Sequence, residues 1–373
     1  MFLIFSFVLT YGLSASGILK RIAIYFINNK YAKKNIYCFM GLYFLSMLIV
    51  GSFMAPTTVF ILYFGIIQEI FAVLGLQKGD KLARNLMIGT GFIASISCAM
   101  TPIAHTFPLM ALGYYEQATG EVISYIQYLR YSLPIGLILA AAAYGLLCLG
   151  LNKNNYKLIN FDFKNTSWAK KDILTISIFI ITIIAWLFIG IWPTAIPILT
   201  ALGTSGIAMI SCLLMAITKC VNIKDGFSKG VSWNAILLCA ATLAMGSFLA
   251  KDEFGVMPLL QNFMASQLVN VNILIFIAVF TVLLTNLISN IVTTTVSFNL
   301  IVPTLIAVTG LYSPIIATIA IGIGASLAYA LPSSIAHIAL AGSSGWAESK
   351  DMLKYGIPMI AISVLTMILI IGG

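Results

Sequence analysis

The side chains best placed to do chemistry lie within residues 285–303, TNLISNIVTTTVSFNLIVP. There Ser289, Asn290, Thr293, Thr294 and Thr295 set hydroxyls and an amide between an apolar run that begins near Ile273 and another that ends near Thr309. Polar side chains and loosened backbone are tolerated at membrane depth only where they face protein or a wet cavity, because hydrocarbon offers no hydrogen-bond partner. The whole run is too long for a single span. It is therefore predicted to form a re-entrant hairpin, two short helical arms meeting at a polar tip; one long helix with a polar stripe is the alternative. The neutral oxygens of Ser289 and Asn290 are hard ligands suited to Na+, and Thr293 and Thr294 are placed to face a substrate.

A second polar interruption, LPSSIAHIALAGSSG, begins at Leu331. Pro332 breaks the helical ladder there and frees backbone carbonyls, while Ser333 and Ser334 add hydroxyls. Free carbonyls and hydroxyls suit a cation, and the N-terminus of a half-helix presents N–H groups to an anion. Both needs are met without a buried charge. The eleven acidic residues support that reading, since almost all fall in connectors and Glu69 alone lies inside an apolar run. Proton-coupled carriers usually place an acid or a charged relay at depth, so coupling to Na+ is favoured. The exceptions are His105 and His337, the 2 histidines of the chain, each in the tripeptide IAH beside a break. Each is either a hydrogen-bonding or proton-carrying site residue or a packed neutral imidazole, and both readings stay open. Thr57, Thr58 and Thr106 complete the set expected to face substrate. The strings GTSG at 203–206 and GSSG at 342–345 resemble an intramembrane serine protease motif, but among 29 glycines they read as close-packing residues. HExxH, P-loop and GxGxxG patterns do not occur, so metalloprotease, ATPase and dinucleotide readings lack support, and an enzyme is not expected.

The elements that must position these residues are membrane helices. Of 373 residues, 61% are hydrophobic and 8% charged, the composition of an all-α polytopic membrane protein. Spans are predicted at about 1–14, 86–113, 131–151, 172–192, 195–218, 232–250, 311–340 and 356–373, eight in all, those at 86–113 and 311–340 being over-long and broken. Hairpins are predicted at about 40–77 and 271–309, with amphipathic connectors at 17–35 and 251–271. The start, FLIFSFVLTYG after Met1, lacks the basic head of a cleavable signal. Six scattered cysteines read as packing residues.

The halves repeat. MAPTT at 54–58 answers NIVTT at 290–294, IAH at 103–105 recurs at 335–337, and YSLP at 131–134 answers YGIP at 355–358. The expected organisation is a first repeat over 1–151, a Lys-rich cytoplasmic loop with two connecting spans over 152–231, and a second repeat over 232–373. By the span count the two copies enter from opposite sides, an inverted-topology repeat typical of alternating-access transporters. With the first span running inward, the 20 basic residues fall on the inner side except Arg130 and Lys251. That asymmetry puts the C-terminus outside a cell membrane and makes the net charge of +9 a topology signal, with no nucleic-acid partner expected.

The layout resembles the divalent anion:sodium symporter family of dicarboxylate and sulfate carriers. The carriers of the resemblance are Ser289-Asn290-Ile291-Val292-Thr293-Thr294, the segments AYALPSSIAHIALAGSSG and DMLKYGIP, and in the first half SISCAMTPIAHTFPLMALGYYEQ and SYIQYLRYSLP. It implies a secondary transporter of a small anion coupled to Na+, and a homodimer in the bilayer. It also adds Thr285, one turn before Ser289, to Ser289, Asn290, Ser333 and Ser334 as the Na+ ligands. The first tip, Phe53-Met54-Ala55-Pro56-Thr57-Thr58, lacks the family's Ser-Asn-Thr, so the resemblance implies the second sodium site and not the first. The family pattern also has about three more helices before the point where Met1 falls. Two rival functions are carried forward: a proton-coupled carrier or anion exchanger using His105 and His337, and a non-transporting membrane subunit.

Overall fold

The computed structural model describes residues 2–149, 151, 169–233, 272–307 and 312–372, with isolated positions between 236 and 255. Among the described residues all regular structure is helical, as the composition predicts. The first part holds α1 (Phe2–Ala15), α2 (Ile18–Ile27), α3 (Ile36–Gly51), α4 (Pro56–Val73), α5 (Lys81–Met100), α6 (Thr106–Thr119), α7 (Tyr125–Cys148), α8 (Lys170–Ile191) and α9 (Pro197–Ile217). After short turns at Ile223–Asp225 and Gly226–Gly230 come α10 (Ile273–Leu287), α11 (Asn290–Ala307), α12 (Pro314–Gly324), α13 (Ala336–Ser343) and α14 (Ser349–Ile371).

Six of these, α4, α5, α7, α8, α9 and α14, are long and apolar enough to cross a membrane, and α1 with α2 makes a seventh if the pair, bent by 55°, is one span. Eight were expected. The predicted span at 232–250 lies largely outside the described residues, as do the connector at 251–271 and most of the Lys-rich loop. The predicted first span, 1–14, also changes character. α1 has 14 residues and rises about 21 Å, short of the ~30 Å hydrocarbon core; the chain then turns at Gly17, whose φ of 72° is the left-handed region glycine favours, and continues as α2. The first expected hairpin falls on α3 and α4, which meet across residues 52–55, and α4 is 18 residues long and apolar enough on average to cross a membrane. Within the broken span expected at 311–340, α12 ends at Gly324 and α13 starts at Ala336.

The element order repeats: α3–α7 and α10–α14 each comprise two helices meeting at a short break, a helix interrupted by irregular backbone, and a long helix. Packing repeats reciprocally. α4 lies on α5 and on α13, while α11 lies on α12 and on α6; α5 packs against α13, and α12 against α6; α3 touches α5 and α7, and α10 touches α12 and α14. Each half therefore docks the helix that follows its tip on the broken helix of the other. MAPTT and NIVTT both fall at the start of the helix after the tip, and Pro134 and Pro358 both lie inside the long helix.

The YSLP and YGIP strings press on equivalent backbone. Ser132 Oγ on α7 donates to the Met100 carbonyl at 2.7 Å. On α14, a Cβ at Gly356 would sit 2.8 Å from Ala330 Cα. At the centre, every residue of α5 from Asn85 to Met100 is buried; Thr90 Oγ1 bonds Tyr43 at 2.9 Å and Asn85 Nδ2 donates to the Leu147 carbonyl at 2.6 Å, while Asn85 Oδ1 has no partner. The ion pairs Arg21–Asp172 (2.5 Å) and Arg84–Asp351 (3.7 Å) each join helices whose charged ends were expected on the same inner side. The two GxSG strings serve backbone turns. Gly203 has φ 61° at a kink in α9, where Trp186 Nε1 donates to the Thr204 carbonyl at 3.1 Å; Gly345 has φ 78° just past α13.

Gly356→Ala forces the α14 backbone away from the second break and is expected to lower stability by about 1–3 kcal/mol. Gly65→Ala on α4, where nothing lies within 4 Å, is expected to leave the melting temperature unchanged or raise it. Thermal melting of the detergent-purified variants checks the pair; equal melting points would remove the close contact at Gly356.

Candidate functional site

The second tip forms because α10 stops at Leu287 and Ile288 turns extended, with φ −126° and ψ 175°, before α11 resumes at Asn290. Asn290 is 1% exposed, and neither its Oδ1 nor its Nδ2 has a hydrogen-bond partner. A buried amide left with both ends bare is costly, roughly 1–3 kcal/mol for each group. Thr293 and Thr294 are fully buried, and their hydroxyls donate to the carbonyls of Ser289 at 3.2 Å and Asn290 at 2.9 Å. Each threonine oxygen thus keeps only lone pairs to offer. Ser289 is half-buried. One turn earlier, buried Thr285 donates to the Ala325 carbonyl, 2.7 Å away at the end of α12. Ser297 Oγ, two turns beyond Asn290 on the same face of α11, is buried and bare as well.

The second break runs over residues 325–335, not from 331 as the proline suggested. Its shape is set by Asn286, a residue the sequence reading passed over. Asn286 is 3% exposed; Nδ2 donates to the carbonyls of Val282 (2.8 Å) and Leu327 (2.9 Å), and Oδ1 accepts from the backbone N–H groups of Tyr329 (2.7 Å) and Ala330 (3.0 Å). One amide therefore satisfies three groups of the broken backbone and one of its own helix. The only signal for it was an asparagine inside an apolar run, beside Thr285. Ser334 is buried with its hydroxyl tied to the Leu331 carbonyl at 2.6 Å, and Ser333 is exposed on the turn. These two do not bring free hydroxyls to the tip.

The first half is closed differently. Its break, 101–105, has Thr101 bonded to the Ser52 carbonyl at the first tip. Tyr128 and Ser132 of α7 donate to the carbonyls of Ala99 (2.9 Å) and Met100 (2.7 Å). Thr58 is exposed; Thr57 and Thr106 are half-buried. His105 caps α6, its Nδ1 accepting from the Phe107 N–H at 3.5 Å, with the two rings 3.9 Å apart. His337 falls two residues later relative to its helix, second in α13, where it is fully buried, bonded to Ser95 on α5 and near Phe60 on α4. The two histidines lie within electrostatic reach of one another. Above the first break a cavity of about 340 Å³ reaches Pro102 from Glu116, Gln117, Tyr125 and Phe2.

Among the described residues the buried carboxylates are Asp172 and Asp351, each paired with an arginine, and no three His, Cys, Asp or Glu side chains gather as a metal site. Glu69 is exposed. The second tip is thus built from neutral oxygens and one amide that both donates and accepts.

Over residues 1–324 the sequence matches the CitMHS family, described as citrate transporter. An "uncharacterized transporter" of Haemophilus influenzae is 26% identical over 338 residues, covering 88% of this chain and 70% of that protein.

Asn286→Ala strands the buried N–H groups of Tyr329 and Ala330 and is expected to cost about 2–4 kcal/mol of stability. Asn286→Asp keeps both acceptor bonds but loses the donors, and should fall between the alanine variant and the parent. Melting temperatures test the order; an alanine variant as stable as the parent would show that the loop does not depend on this side chain.

Proposed function

The chain belongs to the CitMHS citrate transporter family and is a multi-pass membrane transporter, and from that premise we propose that it carries a citrate-like carboxylate coupled to Na+ by alternating access. The observation that carries this reading is the buried, doubly unpartnered amide of Asn290 at the second tip. Its Nδ2 and the free N–H groups at the start of α11 suit a carboxylate. Its Oδ1, with the oxygens of Thr285 and Ser289, suits a small hard cation. One side chain that touches both ligands gives a direct reason for each to strengthen the binding of the other.

Thr293 and Thr294 offer acceptor oxygens on the same helix as that amide; of the first-half threonines, half-buried Thr57 and Thr106 fit a substrate-facing role better than exposed Thr58. Ser333 and Ser334 take part through backbone only, because one hydroxyl is exposed and the other occupied. The first break has its carbonyls taken up by Tyr128 and Ser132, which supports a single cation site rather than two. The reciprocal docking of the helices that follow the tips on the broken helices supports an inverted repeat whose halves rock about a site between them. Transport of this kind needs no covalent step. The grouping of Arg21 with Asp172 and of Arg84 with Asp351 supports the inward placement of the basic ends, and with it an external C-terminus.

A second reading, proton coupling through His337, has one observation behind it: the ring's Nδ1 is buried without a partner. The two readings separate in one experiment, thermal stability of the purified protein with citrate, succinate, sulfate or phosphate, in sodium and in choline. A ligand that binds only the folded state raises its stability by mass action, by about 2.7 kcal/mol at a hundred times Kd. Stabilisation by citrate that requires sodium, and is lost in Asn290→Ala, is expected. Equal stabilisation in choline, together with uptake driven by a pH gradient and abolished in His337→Gln, would overturn sodium coupling in favour of the histidine.

A further inference from the structure

His337 is 0% exposed, and its Nε2 lies 2.8 Å from Ser95 Oγ. That same Oγ lies 2.6 Å from the carbonyl oxygen of Ala328 in the second break. A carbonyl only accepts, so Ser95 donates its single hydrogen to Ala328. The hydrogen between Ser95 and His337 must then belong to Nε2. A neutral imidazole carries one N–H, so Nδ1 is a bare acceptor, and it is buried with no partner. His105, its repeat counterpart, shows the ordinary way for such a nitrogen to be satisfied: it caps its helix through Nδ1. His337 sits too far inside α13 to act as that helix's cap, and its lone pair is left for something else.

We propose that Ser95 is a positioning residue that locks His337 in the Nε2–H form, so that Nδ1 accepts the hydroxyl of a hydroxycarboxylate substrate. The assignment rests on the citrate-like reading above and adds which group of the substrate is recognised. Ionised carboxylates are acceptors only and meet a bare lone pair with repulsion; the hydroxyl is the one hydrogen-bond donor on fully ionised citrate. A site that uses it discriminates against the tricarballylate analogue, in which a hydrogen replaces that hydroxyl. The lock joins α5, the break and α13 in one short chain of bonds, so the acceptor is held in place before substrate arrives.

With 2 histidines in the chain, nitrogen NMR of the whole protein labelled at histidine is simple to read, and His105→Gln assigns the signals. In the ligand-free protein His337 should show a protonated Nε2 and an unprotonated Nδ1. Ser95→Ala should mix the tautomers, and Ser95→Thr should restore the single form. Citrate should shift the Nδ1 resonance and tricarballylate should not, with tricarballylate binding roughly tenfold more weakly, the worth of one neutral hydrogen bond. His337→Phe should erase that difference. A protonated Nδ1 in the ligand-free protein, or a single tautomer surviving in Ser95→Ala, would overturn the lock. Equal Nδ1 shifts or equal affinities for the two anions would overturn the hydroxyl assignment alone. If neither anion binds, the citrate-like reading fails and takes the hydroxyl assignment with it, whereas the ligand-free spectrum still decides the role of Ser95.

Discussion

A helix interrupted inside a membrane protein leaves backbone N–H and C=O groups that no lipid can satisfy. Both halves of this chain contain such an interruption, and much of the surrounding architecture answers it. In the first half α7 supplies Tyr128 and Ser132 to the carbonyls at the end of α5, and Thr101 reaches back to the first tip. In the second half Asn286 reaches from α10 to three backbone groups of the break, and Thr285 takes a fourth. Each break is therefore tied to the helices around it by hydrogen bonds as well as by packing. The close approach of Gly356 to Ala330 belongs to the same solution, since α14 offers no hydroxyl at the position where α7 offers Ser132 and presents a bare backbone instead.

The two solutions are not equivalent, and the difference bears on function. At the first break Tyr128 and Ser132 take up the carbonyls of Ala99 and Met100 and Thr101 is bonded to Ser52, and at the first tip Thr57 is half-buried and Thr58 exposed. At the second, Asn290 and Ser297 are buried with bare polar atoms, and Nδ1 of His337 is bare on α13, which packs on α4, α5 and α14. Unsatisfied buried groups are rare in native proteins and mark places where a ligand, ion or water completes the structure.

Several features were legible before any coordinates. The polar interruption at Ser289–Thr295 is legible because polar residues within a long apolar run are expensive unless they face protein or a cavity, the helical class is legible in the composition and apolar runs, and the repeat in the matched strings MAPTT and NIVTT, the two IAH tripeptides, and YSLP and YGIP. The grouping of basic ends, seen in Arg21 and Arg84 with their acidic partners, was visible as charge asymmetry. The second break was placed too late because Pro332 is a strong local signal, whereas what ends α12 at Gly324 is the bonding of Asn286 to residues 41 to 44 positions further on.

The sequence by itself determined that this is an all-helical membrane protein whose halves carry matching strings, with the run at 285–303 richer in polar side chains than the one at 53–58. Those properties depend on residue type and local spacing, which a linear chain displays directly. Only the tertiary structure decided which polar groups remain free. Ser95 and His337 lie 242 positions apart, and His337 and His105, equal in the sequence repeat, part company because one caps its helix and the other is enclosed within it. Whether a hydroxyl, an amide or an imidazole is available to a ligand depends on what else can reach its hydrogens and lone pairs, and that is a property of packing.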